Sequence, residues 1–184
     1  LLYMLNLCGV LTARRRQTLM VIAAAVIAAV IPELGPTIGF DQRSPHHAYD
    51  IFTHTAYVVE SVPADLALRW AALLHDIGKV DTFTMDAGGQ GHFYGHAAKS
   101  EEMADAILRR LKAPNALRQQ VTELIGLHMT PLEPDKKLLR RRLGKLGAER
   151  LEQLLLLQEA DMGSKGTGKP EEMSQFVVIR TLIQ

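Results

Sequence analysis

The sequence predicts an all-α fold, a helical bundle interrupted by one short β-hairpin near residues 82–94. Three observations carry this. Leu (27) and Ala (21) far outnumber Val (11) and Ile (10), and only 10 of 184 residues are aromatic, a bias towards helix formers. Helix punctuation recurs along the chain, at Ser44-Pro45, Pro63, Gly78 and Pro114. One stretch alone has hairpin chemistry: TFTM and HFY flank the turn residues from Asp86 to Gly91. A chain of 184 residues fits one ordinary domain, or a domain with a short appendage, and buries a core without disulfides. With 47% apolar and 22% charged residues it is not a disordered chain.

The first 31 residues read as an N-terminal apolar helical segment, and 32–184 as the main domain. Arg14, Arg15 and Arg16 precede an apolar run from Leu19 to Ile31. Its 13 residues fall short of the roughly 20 that span a bilayer, and Pro32-Glu33 follows instead of a small-residue cleavage site. The run therefore reads as a buried Ala-rich helix stopped by Pro32, and no membrane partner is expected. The next helix is expected from Ser44-Pro45 to about Ser61, and another from Pro63 to Gly78. After the hairpin, helices are expected at about 96–112, 114–129, 136–145 and 148–161. A flexible loop, GSKGTGKP at 163–170, precedes a last helix from Glu171. The chain opens at Leu1 and not at Met, which fits a piece of a longer protein.

The chemistry sits on polar singletons in apolar helices. His75-Asp76 closes a helix whose run from Ala71 to Leu74 marks a buried place. A carboxylate there needs a counter-charge, which a metal ion supplies. His47, Asp50 and His54 are spaced i, i+3, i+7 on one helical face. His96 begins a helix after Gly95, His128 ends one before Thr130-Pro131, and Asp161 ends LEQLLLLQEAD. One imidazole or carboxylate per helix, each near a helix end, is how a bundle builds an interior metal site. Any one of these histidines alone reads equally as a satisfied core residue. The donor set, free of thiolate, suits divalent Mn, Fe, Ni, Co, Zn or Mg and does not choose among them.

His54, His75-Asp76 and Asp161, separated by 21 and then 85 residues, resemble the HD superfamily of metal-dependent phosphohydrolases. The blocks FDQRSPHHAYDIFTHT, RWAALLHDIGKVDTFT and GHFYGHAAKSEEMADAILRRL resemble, more narrowly, the HD region of bacterial CCA-adding tRNA nucleotidyltransferases. The likeness runs from about Ile31 to about Asp161. It implies an HD-domain helical bundle in which His54, His75, Asp76 and Asp161 hold a divalent metal ion. It also implies that His96 and His128 serve a second metal, with Asp76 as the bridge. Two-metal HD families often carry a His-His pair where this chain has Leu127-His128, a departure that removes one potential ligand. The activity implied is hydrolysis of nucleotide or RNA-end phosphate esters, by a phosphatase or phosphodiesterase, with Asp76 and Lys79 as catalytic residues. Asp76 would orient water and Lys79 would meet the phosphate as a point charge, although a lysine here also reads as a solvated surface residue.

Other features bear on partners. Lys136, Lys137, Arg140, Arg141, Arg142 and Lys145 form a basic run. Arg140, Arg141 and Arg142 are the candidate RNA-binding residues, with tRNA as a partner, and a solvated helix face is the competing reading. The run has no interleaved aromatic to stack a base. GSKGTGK has the spacing of a phosphate loop, but Pro170 stands where Ser or Thr is needed, and a helix precedes it. The chain has no D-x-D carboxylate pair, so it is not expected to add nucleotides itself. Net charge is +1, so no whole-molecule field draws it to nucleic acid. Its single cysteine, Cys8, excludes a disulfide scaffold and suits a reducing cytoplasm. His46 and His47 are expected at the site mouth or in solvent, and His92 on the hairpin is not expected to be a ligand.

Overall fold

The structure is a computed structural model, which describes residues 26–167 and 170–183. Most of the N-terminal apolar segment, with Arg14, Arg15 and Arg16, lies outside the described residues. Of it, residues 26–30 are helical, and Ile27 and Ile31 are buried. Pro32 then opens a short 3-10 helix, Pro32–Thr37, because a residue without an N–H cannot continue the α-helical ladder.

The remaining elements are α1 (Ile51–Ser61), α2 (Leu66–Leu74), α3 (Lys79–Thr82), β1 (Thr84–Met85), β2 (Gly91–His92), α4 (His96–Arg110), α5 (Asn115–Leu127), α6 (Lys136–Leu146), α7 (Ala148–Gly163) and α8 (Pro170–Ile183). The fold is all-α, with β1 and β2 as a small antiparallel hairpin that pairs Thr84 with His92 and Met85 with Gly91. α2 lies at the centre, against α1, α5 and α7. α4 packs on α5, α3 on α4, and α6 and α8 on α7 and on each other. No helix among the described residues is long and apolar enough to cross a membrane.

Each main helix brings an apolar stripe to one shared core. The stripes read Leu68, Ala71, Ala72 on α2; Val121, Leu124, Ile125 on α5; Leu151, Leu154, Leu155 on α7. These are i, i+3, i+4 spacings, which place side chains on one helical face. Extending each stripe predicts what comes next. Leu68, Ala71 and Ala72 lead to His75; Val121, Leu124 and Ile125 lead to His128; Leu154 and Leu157 lead to Asp161. On α1, His54 stands between Ile51 and Val58 on the same face. The core stripes therefore deliver polar side chains to one interior point.

Two expectations about local structure are corrected. α1 begins at Ile51 and not at Pro45, because Asp50 is the stronger cap: its carboxylate accepts the Thr53 N–H at 3.0 Å and the Thr53 hydroxyl at 2.6 Å. His47 and Asp50 thus lie ahead of the helix and share no helical face with His54. α2 ends at Leu74, and α3 is an extra short helix between the His75–Gly78 turn and the hairpin. The residues after α7 are tied back to the segment before α1. The Ala48 N–H donates to the Lys165 carbonyl at 2.9 Å, and the Thr167 hydroxyl to the His46 carbonyl at 2.7 Å.

Candidate metal centre

Six side chains from five helical segments meet in the interior: His54 from α1, His75 and Asp76 from the end of α2, His96 from the start of α4, His128 from the end of α5 and Asp161 from α7. All six are buried. Each imidazole has Nδ1 against a main-chain carbonyl: His54 on Ser164 at 3.2 Å, His75 on Ala72 at 2.8 Å, His96 on Phe93 at 2.8 Å and His128 on Ile125 at 2.6 Å. A carbonyl oxygen only accepts, so Nδ1 is the donor in every ring. In the neutral ring the lone pair is then on Nε2. This is the arrangement in which histidine ligates metal, with the outer nitrogen anchored and the inner one free.

The four Nε2 atoms surround Asp76. Its Oδ2 lies 3.6 Å from His54 and 3.3 Å from His75, and its Oδ1 lies 3.4 Å from His96 and 3.9 Å from His128. Asp161 Oδ1 reaches His54 Nε2 at 3.0 Å and His75 Nε2 at 3.9 Å. Two ligand groups result, His54, His75, Asp76 and Asp76, His96, His128, each with donor atoms within 4.8 Å of one another. Asp76 belongs to both, one oxygen to each. His54 Nε2 and His75 Nε2 are buried without a hydrogen bond of good geometry, and His96 Nε2 faces His128 Nε2 at 3.2 Å. Buried, unpaired acceptors aimed at each other cost free energy that a cation between them removes. The donor chemistry therefore fits divalent metal.

The electrostatics fit as well. Burial would raise the Asp76 carboxyl, but the charges of His75 and Lys79 hold it well below its ordinary value. Asp161 is likewise lowered, burial being outweighed by His54 and Lys165. Burial lowers His96, and burial followed by the His75 charge lowers His128 to about 4, so both rings are neutral and able to ligate at pH 7. Burial also acts downwards on His75, yet Asp76 and Asp161 raise it. The two carboxylates thus favour positive charge at this point of the cluster, as they would favour a cation.

The surface reading of Lys79 is overturned. Lys79 is only 4% exposed, with Nζ 2.8 Å from Asp76 Oδ2, 2.9 Å from Gln42 Oε1 and 5.2 Å from the centre of the Phe93 ring. A buried ammonium needs such partners. Gln42 is itself fixed, donating from Nε2 to the Tyr49 carbonyl at 3.0 Å. Two glycines permit the local packing. A Cβ on Gly78 would stand 2.7 Å from the Ser100 nitrogen, so the turn after His75-Asp76 lies directly on α4. Gly95 takes φ +79°, the left-handed conformation, immediately before His96.

A pocket of about 240 Å³ opens onto Asp76, Lys79, His96 and Asp161. Its walls include His46, His47, Lys165 and the hairpin residues His92 and Tyr94. The sequence alone leaves Gln42 unmarked, His47 undecided and Lys165 within a stretch that reads as a flexible loop. Lys165 Nζ lies 3.9 Å from Asp161 Oδ2, and burial followed by the Lys79 charge lowers His47 to about 3. Arg140, Arg141 and Arg142 are on α6 and do not line this pocket. Arg140 and Arg141 are exposed, and Arg142 is half-buried.

The HD domain family model matches residues 46–162. Among curated relatives, an A-adding tRNA nucleotidyltransferase of Deinococcus radiodurans is 34% identical over 160 residues, 84% of this chain and 36% of that protein. A CC-adding tRNA nucleotidyltransferase of Thermus thermophilus is 34% identical over 122 residues, 63% of this chain and 28% of that protein. A multifunctional CCA protein of Aromatoleum aromaticum is 40% identical over 106 residues, 55% of this chain and 25% of that protein. The chain spans about a third or less of the length of these relatives. The matched segment contains every side chain of the six-residue cluster, and the chain belongs to the HD domain family.

Proposed function

We propose that residues 32–184 form a metal-dependent phosphohydrolase acting on nucleotide or RNA-end phosphate esters, as a phosphatase or phosphodiesterase. The observation that carries this reading is the convergence of four anchored imidazoles on the two oxygens of Asp76. His54, His75, Asp76 and Asp161 hold one divalent ion, and Asp76, His96 and His128 a second. Such ions, when bound, lower the pKa of water towards neutrality and polarise phosphoryl oxygens. The chain supplies the rest. The Lys79 ammonium, steadied by Gln42, faces an entering phosphate as a point charge. Lys165, which lines the same pocket beside Asp161, adds a second cation. His47, held neutral, offers a hydrogen-bonding group without a charge. Asp76 belongs to both ligand groups, its Oδ2 nearer His54 and His75 and its Oδ1 nearer His96 and His128, so it would be shared by both ions.

Asp76→Ala is expected to abolish bound metal and hydrolysis while helical content by circular dichroism persists. Purified wild type that carries no metal and takes up neither Mn²⁺ nor Ni²⁺ would sink the reading. A second reading, the tRNA-binding HD domain of a CCA-adding nucleotidyltransferase, is favoured by the exposed basic face of α6 and by the likeness to tRNA nucleotidyltransferases. The two are compatible. Charge reversal of Arg140, Arg141 and Arg142 to Glu is expected to weaken tRNA binding at least tenfold in a gel shift at low salt. An unchanged shift removes this second reading.

A further inference from the structure

The pocket at the cluster is small. Its volume of about 240 Å³ lies below the roughly 300–1,000 Å³ of sites that enclose a drug-sized ligand. A pocket of this size does not enclose a whole nucleotide, so the base of a nucleotide whose phosphate entered it would rest on the rim. The rim is aromatic on one side. Tyr94, 78% exposed, stacks on His92 with ring planes 9° apart and centroids separated by 5.3 Å, and both line the pocket. Met129, 54% exposed, lines it as well.

This aromatic pair is tied to the hairpin turn. Asp86 Oδ2 lies 3.1 Å from His92 Nε2, while its Oδ1 accepts the Gly88 and Gln90 N–H groups at 2.9 and 3.0 Å and closes the hairpin turn. His92 Nδ1 is 3.4 Å from the Tyr94 hydroxyl. The hairpin is docked on the residues that position Lys79. The Gly91 N–H donates to the Arg43 carbonyl at 2.8 Å, and a Cβ on Gly91 would collide with the Gln42 carbonyl. The aromatic face and the phosphate-facing cation thus keep a fixed relation. A large, rigid and otherwise uncovered π-face beside a cationic pocket is what a base needs once its phosphate is held.

We propose that the Tyr94–His92 face stacks the nucleobase of a substrate whose phosphate enters the pocket, so that the site selects nucleotides and RNA ends over base-free phosphate esters. This rests on the phosphate-binding reading of the pocket and names the recognition element that reading lacks. The test is equilibrium binding of 5′-AMP and of ribose 5-phosphate to the full chain loaded with Mn²⁺, for wild type, Tyr94→Ala and Tyr94→Phe. Wild type is expected to bind 5′-AMP at least tenfold more tightly than ribose 5-phosphate. Tyr94→Ala should weaken 5′-AMP far more than ribose 5-phosphate and so erase the preference, and Tyr94→Phe should keep it. Equal binding of the two ligands to wild type, no binding of either, or a preference that survives Tyr94→Ala overturns the proposal. Hydrolysis of the same ligands is measured in parallel. A Tyr94-dependent base preference without hydrolysis retains the platform and rejects the phosphohydrolase; hydrolysis without Tyr94 dependence does the reverse.

Discussion

His128 is neutral in the folded protein because burial, followed by the His75 charge, lowers its pKa from 6.5 to about 4. The unfolded chain binds that proton near pH 6.5. Between pH 6.5 and 4 the unfolded state therefore holds more protons at this position, and stability falls as pH falls. The full effect is about 3 kcal/mol for one group with this shift. His75 acts in the opposite sense. Its pKa is raised, so its contribution is complete below pH 6.5 and is lost as pH rises through the folded value. The two are separated by substitution. Urea midpoints of the chelator-treated protein, measured from pH 7 to pH 4, are expected to fall less steeply in His128→Gln than in wild type. Equal slopes in the two proteins would show that His128 titrates normally in the folded state.

At the level of elements, the centre depends on how closely the turn after α2 approaches α4. Gly78 donates its N–H to the Ser100 hydroxyl at 2.9 Å, and a Cβ there would stand 2.9 Å from the Lys99 Cβ and 3.0 Å from the His96 carbonyl. Backbone on one side and helix on the other leave no room to yield. Gly78→Ala is expected to cost about 1–3 kcal/mol by thermal unfolding. If the proposed second ion is held by His96, it should also lower the number of ions bound per chain, because the displaced element carries His96. Wild-type ion content at wild-type stability would show that α4 adjusts freely. The same comparison explains what could be read from the sequence. His54, His75, His128 and Asp161 were legible because each interrupts or ends an apolar stripe of helical period, a local signal. Burial of Lys79 was not legible, since its partner Gln42 lies 37 residues upstream in a loop with no periodicity. The start of α1 was misplaced because Ser44-Pro45 and Asp50 are competing start signals, and only the Asp50 cap bonds show which prevails. Lys165 was passed over because loop composition says nothing about what a loop packs against.

For the whole molecule, the cluster joins α1, α2, α4, α5 and α7, so an ion held there connects parts of the chain as distant in sequence as His54 and Asp161. The apolar core stands without it: Leu68, Leu74, Leu108, Leu124 and Leu155 are almost wholly buried, each worth roughly 1.5–3 kcal/mol. Metal removal is therefore expected to lower stability and not to unfold the protein, in contrast to small domains whose fold depends on their metal. The unfolded chain scatters the six ligands, so ion binding favours the folded state by mass action. At an Mn²⁺ concentration one hundred times Kd a single site adds about 2.7 kcal/mol, or roughly 5–10 °C in Tm for a chain of this size. Wild type scanned in Mn²⁺ and again in EDTA should show that difference, and Asp76→Ala should show none, since it removes a ligand from both groups at once. Identical Tm values for wild type under the two conditions would mean that the converging imidazoles bind no ion.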